Sequence, residues 1–139
     1  MAFSSRLSPG QFGIAWAAVS VAILVLDGLW LGFLAKDLYK REMGSLMADS
    51  VRIVPAIVFY VLYPAALVYL TLLSPPSGWA EAAIRGLVLG LAAYGAYDLT
   101  NLAVVRDWSL RISLIDWAWG GFLSAAAAAG GYAATWGRT

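Results

Sequence analysis

The sequence predicts an all-α membrane protein: four transmembrane helices in an antiparallel bundle, with an amphipathic interfacial helix between helices 1 and 2. Three observations carry that prediction. Of 139 residues, 62% are hydrophobic and only 12% charged, against about 25% charged for an ordinary soluble domain. The mean hydropathy is correspondingly high, at +0.77. The charges gather between long apolar runs, each close to the ~20 residues that cross a ~30 Å hydrocarbon core as a helix. Within those runs apolar side chains occupy nearly every face, as expected where lipid is the solvent.

A single unit, 1–139, accommodates all the elements. The first run, Gln11 to Ala35, is uncharged except for Asp27. A cleavable signal peptide is its rival. No short basic region leads directly into the run, however, and it is too long for a signal core, so it reads as a retained helix. In the following segment, Lys36 to Arg52, Tyr39, Met43, Leu46 and Met47 recur at helical spacing while Lys40, Arg41, Glu42 and Asp49 take other faces. That pattern predicts an interfacial amphipathic helix, with a plain polar loop as the alternative. The second run, Ile53 to Leu73, carries no charge and ends at the turn residues Ser74-Pro75-Pro76-Ser77-Gly78-Trp79. The third, Glu81 to Val104, contains Asp98, and the fourth, Ile112 to Thr135, contains Asp116. The connection Arg106-Asp107-Trp108-Ser109 is short enough to force spans three and four into an antiparallel hairpin. Trp79, Trp108 and Trp136 fall at span ends, where indoles favour the headgroup zone.

Orientation follows from the Lys and Arg count on each side. The side holding the first and third loops has Lys36, Lys40, Arg41, Arg52, Arg106 and Arg111; the other has Arg6, Arg85 and Arg138. Both loops are therefore expected in the cytoplasm and both termini outside.

The composition also excludes whole classes of function. With 9 Lys+Arg against 8 Asp+Glu there is no basic excess to neutralise a phosphate backbone, so nucleic acid is not an expected partner. With neither Cys nor His there are no disulfides, thiolate nucleophiles, imidazole bases or His-ligated haem. The sequence identifies no cofactor, and no metal-ligand spacing is recognised in it.

Three carboxylates remain inside the spans, and an ionised carboxylate in hydrocarbon costs several kcal/mol, so each needs a reason. At a ~1.5 Å rise per residue, Asp27 lies about 12 Å from the inner end of its span, Asp98 about 9 Å and Asp116 about 6 Å. All three belong to the cytoplasmic half, with no Lys or Arg at that depth to pair with them. On span three, Tyr94, Asp98 and Asn101 form an i, i+4, i+7 stripe with Tyr97 and Thr100 beside it. On span two, Tyr60 and Tyr63 precede Pro64, whose missing amide leaves the Tyr60 carbonyl without its helical donor. Trp30 follows Asp27, and Trp117 and Trp119 follow Asp116. The expected site is a polar, aromatic-lined pocket of Asp27, Trp30, Tyr60, Tyr63, Tyr94, Tyr97, Asp98, Asn101, Asp116 and Trp119 opening toward the cytoplasm. The bland alternative is that these polar groups only hold helices together.

Small residues mark close approaches. Gly86 and Gly90 form a GxxxG on span three, and span four carries Gly120-Gly121, Ala125 to Ala129 and Gly130-Gly131. Packing of spans three and four on each other explains them, and so does a homodimer seam. An internal echo is also present. Asp27-x-x-Trp30-x-Gly32-Phe33-Leu34 matches Asp116-x-x-Trp119-x-Gly121-Phe122-Leu123 at five positions. Both Asp are expected on one side of the midplane, where an inverted repeat would separate them, so the echo reads as local reuse or chance.

The segments Leu26-Asp27-Gly28-Leu29-Trp30-Leu31-Gly32, Phe59-Tyr60-Val61-Leu62-Tyr63-Pro64, Tyr94-Gly95-Ala96-Tyr97-Asp98-Leu99-Thr100-Asn101-Leu102-Ala103 and Asp116-Trp117-Ala118-Trp119-Gly120 resemble the bacterial predicted membrane protein family termed domain of unknown function 2177. The resemblance runs from about Val21 to Tyr132, and the Tyr-Asp-Leu-Thr-Asn-Leu-Ala stretch is its most specific element. It implies a four-helix protein of the bacterial inner membrane. It also implies that Asp27, Trp30, Tyr60, Tyr63, Pro64, Tyr97, Asp98, Asn101, Asp116 and Trp119 are characteristic positions, and it supplies no activity.

Four functions remain open on this reading. The leading one is an accessory to lipid modification that binds a membrane lipid or fatty-acid-like amphiphile, with Asp27, Asp98, Asn101 and Asp116 on the head and Trp30, Trp117, Trp119 and the tyrosines on the chain. The others are a small proton-coupled transporter acting as a homodimer, an Asp-based intramembrane enzyme with or without Mg²⁺, and a structural subunit of a larger membrane complex.

Overall fold

Ser8 starts the first helix by a reciprocal cap: its Oγ accepts from the Gln11 amide at 3.2 Å while its own amide donates to Gln11 Oε1 at 2.9 Å. Pro9 then takes the first helical position, where its missing N–H has no intrahelical partner to lose. The computed structural model describes residues 6–139; the first five residues of the unit 1–139 lie outside them. Helix α1 (Pro9–Leu29) thus begins two residues before the apolar run suggests, and it ends in a π-turn, Trp30–Leu34, closed by the Ala35 amide on the Trp30 carbonyl at 2.7 Å.

Helix α2 (Lys36–Met43) is the interfacial element, followed by a single 3-10 turn at Gly44–Leu46. It is shorter than the segment 36–52 suggests, because Gly44 adopts φ +51°, a left-handed conformation that a helix does not continue through. Helices α3 (Ile53–Leu72), α4 (Trp79–Val104) and α5 (Leu110–Ala134) follow, with a last 3-10 turn at Trp136–Arg138. Helix α3 runs on through Pro64 without a break. Asp107 takes φ 62° in the short α4–α5 connection, and Ser109 caps α5 by accepting from the Ile112 amide.

Among the described residues four helices are long and apolar enough to cross a membrane. Their outer faces are apolar: Val21, Leu24 and Val25 of α1, Ile57, Val61 and Leu62 of α3, and Ile84 and Val88 of α4 are all exposed, the arrangement lipid requires. Helix α5 sits at the centre. Of its most apolar window 44% is buried, against 17–22% for the other three. Its most extensive contact is with α4 and its next with α1. The core is aliphatic and small: Ala15, Val19 and Ile23 meet Leu67, Val68 and Leu72, with Leu123, Ala127 and Ala128 of α5 between them.

Glycines set the α4–α5 spacing. A β-carbon at Gly86 would come within 2.8 Å of Ala128 Cβ, and one at Gly90 within 2.6 Å of Ser124 Oγ. The GxxxG of α4 is therefore filled by the chain's own α5. Gly95 makes room for the Trp117 indole, whose Nε1 donates to the Leu91 carbonyl at 2.8 Å. At the far end of the bundle Trp136 Nε1 donates to the Leu72 carbonyl at 2.8 Å, and Arg85, paired with Glu81, donates to the carbonyls of Thr71 and Ser74. The bonds to Thr71 and Leu72 satisfy last-turn carbonyls of α3, which the helix itself leaves open, and the bond to Ser74 ties down the turn that follows.

Candidate functional site

Residues of α1, α2, α3, α4 and α5 line a half-open cavity of about 590 Å³. Asp27 comes from α1, Tyr60 from α3, Tyr94, Tyr97 and Asp98 from α4, and Asp116 and Trp119 from α5, while Trp30 enters on the π-turn. Leu31, Phe59, Ala93 and Ile112 complete the apolar wall. Among the described residues no Lys or Arg lines it.

Asp27 is 8% exposed and fully engaged: Tyr60 OH donates to its Oδ2 and Trp119 Nε1 to its Oδ1, both at 2.8 Å. Asp116 accepts from Tyr39 OH at 2.5 Å, and Tyr39 OH in turn accepts from Trp30 Nε1 at 3.2 Å. Burial, and then the bond to Asp116, push the Tyr39 phenol above its ordinary value, so it stays a donor. Asp98 differs from both. It is 2% exposed, no donor reaches its Oδ2 among the described residues, and it lines the same cavity as Asp116. Two carboxyl groups bond each other only through a proton that one of them carries, or through a donor placed between them.

The rings are organised around these acids. Trp30 and Trp119 stack with centroids 4.5 Å apart and planes 8° apart. Phe59 lies edge-on to Tyr60 at 5.3 Å, and Tyr97 meets Trp108 edge-to-face at 5.7 Å. Gly120 carries no side chain that would overlap the Tyr94 ring lying across α5. A pocket of this volume, mostly aromatic with few polar groups, has the character of a small-molecule site.

Eight of the ten residues expected at the site line this cavity, and two do not. Tyr63 is buried in the core, its hydroxyl 2.5 Å from Ser124 Oγ, because the α3 helix turns it toward α5. Asn101 lies one turn beyond Asp98, past the cavity wall. Trp117, expected beside a bound chain, points to the Leu91 carbonyl instead, and Thr100 donates back to the Ala96 carbonyl. Among the described residues no three carboxylates come together as a metal-ligand set, because Asp27 stands apart with Tyr60 and Trp119.

The family described as predicted membrane protein (DUF2177) matches residues 12–133. The chain belongs to that family. No curated protein and no solved structure matches it. Within this DUF2177 chain, sequence reasoning missed three of the site's contributors. Tyr39 and Met43 were legible as the apolar face of α2, but not as a wall of the cavity. Trp108, expected at the headgroup level, turns inward, with its Nε1 buried and without a partner among the described residues. Helix α2 is fixed over the cavity by Tyr39 on Asp116 and by Glu42 Oε2, which accepts from Ser109 Oγ at 2.5 Å.

Proposed function

We propose that this membrane protein binds an amphiphile in the cavity beneath α2, head toward the aspartates and tail along the aromatic wall, in support of lipid modification. The single observation that carries the reading is Asp98: a carboxyl group 2% exposed, facing a 590 Å³ aromatic-lined space, with an oxygen that no donor reaches among the described residues. A buried acceptor left open costs about 1–3 kcal/mol, and a ligand that supplies the donor recovers it. The setting is the inner membrane of a bacterium, with α2 and the α4–α5 connection in the cytoplasm, supported by the excess of Lys and Arg on that side. Native mass spectrometry of the purified chain tests the reading. Retention of an amphiphile by the parent chain and its loss in Asp98→Ala is expected; no retained amphiphile in either form would end it.

A second reading, proton-coupled transport by a homodimer, is favoured by Asp98 and Asp116 lining one intramembrane cavity that no Lys or Arg lines among the described residues, since such carboxyl groups are relay equipment. Flux into proteoliposomes that follows a pH gradient and is lost in Asp116→Asn supports it, and flux unchanged by the substitution rejects it.

A further inference from the structure

Resting on the amphiphile reading, the chemistry of the wall narrows the head group. The carboxyl groups that line the cavity are Asp27, Asp98 and Asp116, and two of the three have acceptor capacity to spare. Asp27 takes both of its donors from Tyr60 and Trp119, and Asp116 takes one from Tyr39. Asp98 Oδ2, buried in the same lining as Asp116, takes none among the described residues. A carboxylate head placed here would find a donor in Trp108 Nε1 but would meet the aspartates as acceptors and as like charge, with no Lys or Arg in the lining among the described residues to offset it. A hydroxyl could serve one acid. A protonated amine offers three donors and the compensating charge, so it can serve both acids at once.

The rings argue the same way. Trp30 and Trp119, stacked in parallel, and Tyr97 and Trp108, set edge-to-face, all belong to the cavity lining. Aromatic faces around a desolvated cation attract it through the ring quadrupole. We propose that the cavity recognises an organic ammonium group borne on a hydrocarbon chain, the N–H donors going to Asp98 and Asp116 and the aromatic wall enclosing the charge.

The ammonium can come from a free long-chain amine or from a lipid with a primary-amine head, and the two share the ammonium group, the lipid adding a phosphate. The test uses the full chain in a maltoside detergent, titrated with dodecylammonium, dodecanol and dodecanoate and followed by tryptophan fluorescence. Dodecylammonium is expected to bind about tenfold or more tighter than dodecanol, with dodecanoate weakest. Asp98→Asn is expected to erase the preference for the amine over dodecanol while dodecanol still binds. The wild-type ranking stands as a test by itself if that variant does not fold. Dodecanol or dodecanoate binding as tightly as the amine overturns the ammonium assignment and leaves the amphiphile reading intact; no binding of any of the three overturns both. Native mass spectrometry then separates the sources. Co-purified phosphatidylethanolamine, lost in Asp98→Asn, identifies the lipid, whereas amine binding without it identifies the free amine. Asp98-dependent retention of phosphatidylglycerol instead overturns the assignment.

Discussion

Trp119 and Trp30 stack face to face, yet each serves the other's aspartate: Trp119 Nε1 donates to Asp27, and Trp30 Nε1 donates to Tyr39, which donates to Asp116. The two Asp-x-x-Trp repeats are thereby interlocked across antiparallel α1 and α5. This gives the sequence echo a structural meaning beyond chance. The exchange stops at the tryptophans, for Phe33 and Leu34 are 80% and 76% exposed while Leu123 is fully buried.

Replacing Trp119 with Phe keeps the stack and removes only the donor to Asp27. The expected outcome is a loss of about 1–3 kcal/mol, read as a lower Tm in detergent. Trp119→Ala should cost more, since the stack goes as well. Equal losses in both variants would show that the stack adds nothing to the hydrogen bond, and no loss in Trp119→Phe would show that the hydrogen bond carries nothing.

Gly90→Ala places a methyl group within 2.6 Å of Ser124 Oγ and 2.7 Å of its Cβ, so α4 must move off α5. About 1–3 kcal/mol of destabilisation is expected from such overpacking. Gly130→Ala meets nothing within 4 Å and is the matched control; thermal unfolding of the pair should separate them clearly.

Stability should fall at alkaline pH through Tyr39. Its folded phenol is raised above the ordinary tyrosine value of about 10 by burial and by Asp116. A raised group contributes stability that is complete below its unfolded value and declines as pH rises past it. Unfolding followed between pH 9 and pH 12 should therefore show a decline that begins near the ordinary tyrosine range. That decline should be smaller in Tyr39→Phe, which cannot ionise at this position. The same variant should loosen α2, read as faster amide exchange over Lys36–Met43.

The absence of cysteine makes topology directly measurable. Single cysteines at Ser45 and Ser77, both exposed, should label oppositely with a membrane-impermeant maleimide in intact bacteria. Labelling at 77 and protection at 45 is the expected result; the reverse would invert the proposed orientation.

The helices were legible because lipid forces apolar side chains onto every outer face, and the charges between them mark the ends. The acids and their level were legible too, since depth follows from helical rise. What one helix presents to another was not. Tyr63 and Tyr60 stand three residues apart on α3, yet one joins Ser124 in the core and the other Asp27 at the cavity. No periodicity distinguishes them where every face of the helix is apolar. Tyr39 was hidden differently. Its place depends on the π-turn at Trp30–Leu34, a local widening that no residue pattern in this segment announces. By contrast Ser8-Pro9-Gly10-Gln11 carries a complete start signal, and the earlier beginning of α1 could have been read from it.

Helix α5 is the most buried of the four, and it also follows the others along the chain. During synthesis α1, α3 and α4 therefore emerge before the partner that separates and organises them. Until α5 arrives, Asp27 lacks Trp119, Asp98 lacks Asp116, and Gly86 and Gly90 face an empty groove. Insertion and site formation are thus distinct stages in the life of this protein. A ribosome stalled in the last quarter of the message would leave three membrane-inserted helices exposing unsatisfied carboxylates to lipid, a natural substrate for membrane quality control.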